Sequence, residues 1–258
     1  MSDVAIVVPC FNEVRRLDVD RLRHLGELAG ASIVAVDDGS TDGTGELLRA
    51  AAERWPDAFS VVALPANSGK GEAVRIGMLA ALDRGAGVVG YYDADHATPE
   101  EEMARLVAAL TDDPRRHVVL GARVGLLGHD IHRSLWRHYL GRLYATASSA
   151  VLGLAVYDTQ CGAKVFRDGP ALRAAVARPF TSRWSFDVEL LGRLSRGGVP
   201  AGAFEEVPLR RWTDVSGSKL GPLAAVVAAV ELLRVALQLR RYRPDLDRHR
   251  GRSNSPTV

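Results

Sequence analysis

Cysteine is scarce: Cys10 and Cys161 are the only two in 258 residues. That count excludes a disulfide-built scaffold and a four-cysteine zinc site, and it favours a cytoplasmic setting. Net charge is small as well, at +2, so the molecule is no polyanion trap and no nucleic-acid partner is expected. The sequence has no internal repeat, and no long linker interrupts it before residue 244. Met1-Ser2-Asp3 runs into a strand-like stretch without a basic region or a long apolar one, so no signal peptide is expected. A simple membrane span is not expected either. The most apolar stretch, Leu223–Leu239, is interrupted by Glu231, Arg234 and Gln238, whereas a span needs roughly 20 predominantly apolar residues.

Apolar residues make up 47% of the chain, enough to bury a full core as one domain or as a domain with an extension. Charge is uneven, since residues 240–252 carry a local +4 that leaves the remainder at −2. Short apolar runs at Val4–Val8 (stopped by Pro9), Ile33–Val36, Val61–Leu64, Val88–Tyr92 and Val118–Leu120 read as strands. Helical patterning falls between them, over Leu17–Leu28, from Thr41-Asp42 to about Arg54, over Glu72–Asp83, and from Pro99 to Leu110. Thr41 and Asp42 offer N-cap chemistry to the second of these helices, and Thr98 to the fourth, with Pro99 at its first helical position. The alternation predicts an α/β fold with a doubly wound, mostly parallel sheet flanked by helices.

After residue 123 the pattern changes. Helices are expected over 131–152, 170–178 and 186–196, a strand over Ala203–Leu209, and polar loops over 157–162 and 212–219. Residues 221–243 read as a C-terminal amphipathic helix, with Glu231, Arg234, Gln238 and Arg241 on one polar stripe. It either packs on the domain or lies on a membrane surface. Residues 244–258, rich in Pro, Arg and Ser, are expected to be a basic, disordered tail.

In a parallel sheet the loops Pro9–Glu13, Asp37–Ser40 and Asn67–Gly71 crowd the same edge as Asp93 and Asp95. Asp93-Ala94-Asp95 can hold a hard divalent cation and, through it, a diphosphate. Asn12 and Glu13 can hydrogen-bond a ribose or base, Asp38 can accept from a base N–H, and Lys70 can approach phosphate oxygens. Taken singly, each has a plain reading as a turn or helix entry; their order and spacing make the signal specific. Two rival phosphate motifs fail. Gly69-Lys70 is followed by Gly71 rather than Ser or Thr, and Gly39, Gly43 and Gly45 lack dinucleotide-fingerprint spacing.

On these residues, positions 4–123 resemble the nucleotide-sugar half of family 2 inverting glycosyltransferases with the GT-A fold. The pieces are VAIVVPCFNE, VAVDDGSTDGT, LPANSGKGEAV and YYDADHATP. In the second half LGAR, YDTQCGAKVF, RWSFDVELL and WTDVSGSK resemble the dolichyl- or polyprenyl-phosphate glucosyltransferase branch. The resemblance spans about residues 4–220, with a nucleotide-sugar half to 123 and an acceptor half from 124. It implies that Pro9, Asn12, Glu13, Asp38, Lys70 and Asp93 line the nucleotide-sugar pocket. Asp95, with Asp93, would hold Mg²⁺ or Mn²⁺, and Arg123, Arg133 and Lys219 would meet an acceptor phosphate. The departure is His96, where that branch usually carries glycine. His96 is a candidate metal ligand or acceptor contact, against the plainer reading of a neutral substitution pointing to solvent.

The implied reaction moves a hexose, glucose by resemblance, from a UDP-linked donor to a polyprenyl phosphate. A phosphate acceptor is already anionic and needs no base. With a soluble hydroxyl acceptor in its place, Asp187 or Glu189 are candidates for general base, although both also read as ordinary helix-start carboxylates. A non-catalytic nucleotide-sugar-binding or membrane-surface module is the reading from a different class. The expected location is cytoplasmic, with peripheral contact at the inner membrane face left open.

Overall fold

The computed structural model describes residues 3–132, 135–213 and 222–246. Among these residues, seven strands form one sheet: β1 (Val4–Cys10), β2 (Ala31–Asp37), β3 (Phe59–Ala63), β4 (Val88–Tyr92), β5 (Val118–Ala122), β7 (Ala163–Arg167) and β8 (Phe204–Pro208). Their spatial order is β3-β2-β1-β4-β7-β5-β8. A separate parallel ladder joins β6 (Asp130–His132) to β9 (Arg211–Thr213). The helices are α1 (Val19–Ala29), α2 (Thr44–Arg54), α3 (Lys70–Asp83), α4 (Glu100–Thr111), α5 (Leu135–Leu152), α6 (Pro170–Val176), α7 (Phe186–Arg196) and α8 (Pro222–Arg241).

The central strand shows why the sheet is wound on both sides. Val4, Ile6, Val8 and Cys10 of β1 point into one core with Leu22, Leu25, Leu48 and Met103. Ala5 and Val7 point into the other, with Val74, Met78 and Leu190. A strand buried on both faces has a continuous apolar sequence rather than an alternating one, which is what VAIVV displays. β1 runs on through Pro9 to Cys10, past the expected stop. Its pairing with β4 ends at Val7 and only β2 accompanies it further, so the missing N–H meets a one-sided ladder.

Several boundaries differ from expectation. α2 begins at Thr44, after a left-handed Gly43, and Asp42 serves it by accepting from the Thr44 amide and hydroxyl. α4 begins at Glu100 with Pro99 as its cap residue; Thr98 is buried and its carbonyl accepts from the Tyr92 hydroxyl instead. The start of the helix expected over 131–152 is taken by β6, because Asp130–His132 pair with the Arg211–Thr213 end of an expected loop.

The larger difference is β7. It comes from beyond residue 123, yet it lies antiparallel between β4 and β5, which precede that point. The chain before and after residue 123 therefore shares one sheet. α8 packs Ala228, Leu232, Val235 and Leu239 inward, and Leu239 lies so close to Gly192 of α7 that a Cβ there would stand 2.3 Å from it. At roughly 1.5–3 kcal/mol per fully buried aliphatic side chain, this face fixes the helix on the core. On its opposite side Val227, Val230, Leu233 and Leu237 are exposed. Beyond it Tyr242 is buried and Leu246 lines a small cavity with His117 and Pro200, so the chain is packed to residue 246. Residues 247–258 of the expected tail lie outside the described residues.

Candidate active site

The carboxyl ends of β1, β2 and β4 open onto a cleft of about 320 Å³, lined by residues that include Pro9, Glu13, Asp38, Asn67, Lys70, Asp93 and Asp95. They sit at or just beyond the carboxyl ends of parallel strands β1 to β4, at the same sheet edge, where open α/β sheets bind ligands. Asp38 is buried, and its two oxygens accept from the amides of Ser68 (2.7 Å) and Gly69 (2.8 Å). It thereby pins the β3–α3 loop that carries Asn67 and Lys70. Glu13 forms an ion pair with Arg16, and its amide donates to Thr44 Oγ1 at 2.8 Å. Asn12 does other work. It sits at φ 55°, its Oδ1 accepts from the Thr41 amide at 2.9 Å, and it clasps the β2–α2 loop rather than lining the cleft.

Lys70 opens α3 and places Nζ 2.6 Å from Asp93 Oδ1, above the rings of Tyr91 and Phe186. Desolvation pulls its pKa down, but Asp93, Asp187 and Asp95 outweigh that and hold the ammonium above its ordinary value. Burial, reinforced by Asp93, pushes the Asp95 carboxyl up. Two like charges on one turn repel, and a cation between them would relieve both. Asp93 is also sterically set, because a Cβ on Gly162 would fall 2.1 Å from its Oδ2.

These residues fit a divalent ion by the chemistry of the donor set: Asp93 and Asp95 both line the cleft, two residues apart on one turn. No three His, Cys, Asp or Glu side chains converge as a metal centre among the described residues. A pair of carboxylates suits Mg²⁺ or Mn²⁺ that completes its shell with substrate phosphate and water.

His96 does not point to solvent, and among the described residues it forms no three-ligand cluster with the two aspartates. Its side chain is 4% exposed, with Nδ1 2.9 Å from Glu100 Oε1 and its ring edge-on to Tyr92. Arg21 reaches the same Glu100 from α1. His96 adopts φ 54°, a conformation glycine enters freely, which explains why a glycine suits this position.

The other carboxylates are deeper. Asp187 is buried, with Oδ1 accepting from Lys164 Nζ at 2.9 Å and from the Tyr91 hydroxyl. Lys164 also donates to Tyr91 at 2.7 Å and to the Cys161 carbonyl at 2.5 Å. Burial pushes the Asp187 carboxyl up and the Lys164 ammonium down, each disfavouring the charged form. Glu189 is fully buried and accepts from Thr181, Ser182 and Arg193. None of these is among the residues that line the cleft, and as folded Glu189 braces the turn before α7. Arg123 makes a two-pronged pair with Asp158, at 2.7 and 2.8 Å, and lies over Trp212. Desolvation opposes its charge but Asp158 outweighs it, so its pKa is raised. Arg133 and Lys219, the other two expected phosphate contacts, lie outside the described residues.

With this geometry in view, a family model described as "Glycosyl transferase family 2" matches residues 5–171. The chain belongs to glycosyl transferase family 2. Its curated relatives include the dolichyl-phosphate beta-glucosyltransferases of Mus musculus and Saccharomyces cerevisiae. The first is 33% identical over 242 residues, spanning 86% of this chain and 70% of the relative. The second is 31% identical over 268 residues, spanning 93% and 76%. Among solved structures, the mannosyl-3-phosphoglycerate synthase of Rubrobacter xylanophilus superposes with a TM-score of 0.67 at 18% identity, covering 100% of this chain and 78% of that one. The glucosyl-3-phosphoglycerate synthase of Mycobacterium tuberculosis, in complex with Mn²⁺, UDP and glucosyl-3-phosphoglycerate, gives 0.65 at 18%, covering 95% and 82%. At that identity the two structures establish the GT-A fold.

In this glycosyltransferase, sequence reading passed over Lys164, Gly162 and Arg16. Lys164 had a usable signal: a lone ammonium inside the apolar run Ala163–Phe166 requires a buried partner. Gly162 and Arg16 had none, since their roles come from a neighbouring aspartate and from the cleft wall.

Proposed function

We propose that the protein transfers glucose, with inversion, from UDP-glucose to a polyprenyl or dolichyl phosphate. The observation that carries the donor side is the convergence of Asp93, Asp95, Asp38 and Lys70 on one cleft at the carboxyl edge of the sheet. The acceptor follows from the curated relatives, whose names specify dolichyl phosphate across most of this chain's length. Asp93 and Asp95 would hold Mg²⁺ or Mn²⁺, which when bound offsets the charge that develops on the departing diphosphate. Lys70 binds the diphosphate as an ammonium whose charge its acidic neighbours maintain. Asp38 keeps the loop bearing Lys70 in place. An acceptor phosphate oxygen attacks the anomeric carbon, the bond to the donor diphosphate breaks, and the electron pair leaves with the nucleotide. No proton has to be removed.

α8 supplies the membrane contact in this reading. Its exposed Val227, Val230, Leu233 and Leu237 lie opposite the core-facing stripe, and Arg234, Arg240, Arg241 and Arg243 are exposed beside them. An apolar strip flanked by arginines suits an anionic lipid surface. No helix is long and apolar enough to cross a membrane among the described residues.

A hydroxyl acceptor is the second reading; it would require Asp187, held by Lys164 and Tyr91 behind the cleft, to act as the base. Incubation with UDP-[¹⁴C]glucose, Mn²⁺ and polyprenyl phosphate decides between them. Label extracted into organic solvent supports the lipid acceptor; label that stays in water as a new glucoside supports the hydroxyl. Absence of any transfer across nucleotide sugars and acceptors would reject both.

A further inference from the structure

The turn that leads into α7 is held from a distance. Ser182 Oγ donates to Glu231 Oε2 of α8 at 2.6 Å, and the amides of Trp184 (3.1 Å) and Ser185 (3.2 Å) reach the same oxygen. Tyr144 of α5 donates to Ser185 Oγ at 2.7 Å. Ser185 occupies the N-cap of α7 without making a side-chain cap bond. Glu231 therefore does that work from another helix, placing a carboxylate at the positive end of α7.

From the middle of the same turn, Arg183 reaches the opposite wall. Its Nη2 donates to Asn67 Oδ1 at 2.7 Å, and its guanidinium lies against Gly69, where a Cβ would stand 2.6 Å from Nε. Asn67 lines the donor cleft. Ser68 and Gly69 supply the two amides that bind Asp38, and Lys70 follows directly. Contacts thus run without a gap from α8 to the loop that carries the donor-facing ammonium. The Arg183–Asn67 bond is exposed, and an exposed polar contact adds little to fold stability. Its consequence lies in where it holds the loop.

We propose that Glu231 is a positioning residue for the nucleotide-sugar pocket, holding the Ser182–Ser185 turn so that Arg183 latches the Asn67–Lys70 loop against Asp38. This rests on the glycosyl-transfer reading for its kinetic consequence, but the latch itself can be measured without turnover. Four variants of the full chain decide it: Glu231→Ala, Glu231→Gln, Arg183→Ala, and Leu232→Ala as a control that weakens the core face of the same helix.

Hydrogen–deuterium exchange at the Ser68 and Gly69 amides should accelerate by roughly tenfold in Glu231→Ala and in Arg183→Ala. The KM for UDP-glucose should rise by roughly fivefold to tenfold in both, with kcat within about twofold of wild type. Glu231→Gln, which still offers an amide oxygen, should recover most of both effects. Leu232→Ala should lower the Tm and leave both readouts in place. Unchanged exchange at Ser68 and Gly69 in Glu231→Ala, or equal changes in Leu232→Ala, would overturn the latch. If exchange responds as expected while the wild-type protein neither binds nor turns over a nucleotide sugar, the latch stands and the functional reading falls.

Discussion

Two acidic pairs stand at comparable places in this fold. Asp93 and Asp95 follow β4 just before α4, and Asp187 and Glu189 open α7. Their surroundings are opposite. The Asp93 side chain is 32% exposed, whereas those of Asp187 and Glu189 are 4% and 0% exposed. Each of the deeper carboxylates is paired with a buried cation of its own, Lys164 or Arg193. A carboxylate that faces a cleft with an oxygen to spare can serve a substrate. One whose oxygens are occupied by interior donors is part of the frame, because removing its partner strands a charge in low dielectric. The difference lies in solvent access and partners, not in residue type.

That contrast is broken most sharply by Asp95→Ala. Transfer should fall by about a thousandfold or more, the order expected when an electrostatic contact made at the departing charge is removed. The Tm should stay near wild type, since among the described residues Asp95 Oδ1 accepts only from the nearby Ala97 amide. A product assay beside a thermal melt checks both halves. Retained activity in the presence of a chelator would remove the metal from the account.

Lys164→Met should do the reverse and act first on stability, at about 3–5 kcal/mol for stranding a buried partner. Burial already raises the Asp187 carboxyl, and removing the Lys164 ammonium raises it further. A group raised on folding favours the native state at low pH, and that contribution is lost as pH rises through the folded value. The deficit in Lys164→Met should therefore widen toward alkaline pH in denaturant titrations. Lys164→Met combined with Asp187→Leu should recover much of it. An additive double variant would show that the two residues do not form a unit.

A smaller effect belongs to Glu100. Although desolvation opposes its charge, hydrogen bonds from His96 and Arg21 bring its pKa from 4.5 down to about 2. A carboxylate lowered on folding stabilises the native state above its unfolded pKa, and that stability is lost as pH falls through the folded one. The acid limb of stability between pH 4.5 and 2 should be shallower in Glu100→Gln, read by chemical denaturation across that window. His96→Gly should change least. Relief of a left-handed backbone, about 1 kcal/mol, offsets loss of the Glu100 contact. Stability and transfer should stay close to wild type; a large loss of transfer would make His96 part of the substrate site.

Much of the donor side was legible because it is local. Each strand–loop–helix unit reveals its own period, and parallel winding brings the loops after β1, β2, β3 and β4 to one edge whatever the exact packing. Pro9, Glu13, Asp38, Lys70, Asp93 and Asp95 line the cleft for that reason. Asn12 was less legible, because a loop asparagine can serve a ligand or the neighbouring loop, and its bond from the Thr41 amide is a tertiary contact. β7 was not legible as a strand between β4 and β5. A five-residue strand such as Ala163–Arg167 carries no mark of its direction or neighbours, and its place depends on a reversal after α5.

The sequence by itself determined the α/β class, the sheet edge that carries the chemistry, and the residue types gathered there. It could do so because side-chain periodicity and strand–helix alternation are properties of consecutive residues. Only the tertiary structure decided which acids stay available. Asp187 meets Lys164 across 23 positions, and the α7 turn meets Glu231 across more than 40. Burial and pairing are set by such distant contacts, and in a low-dielectric interior they decide whether a carboxylate waits for a substrate or holds up the fold.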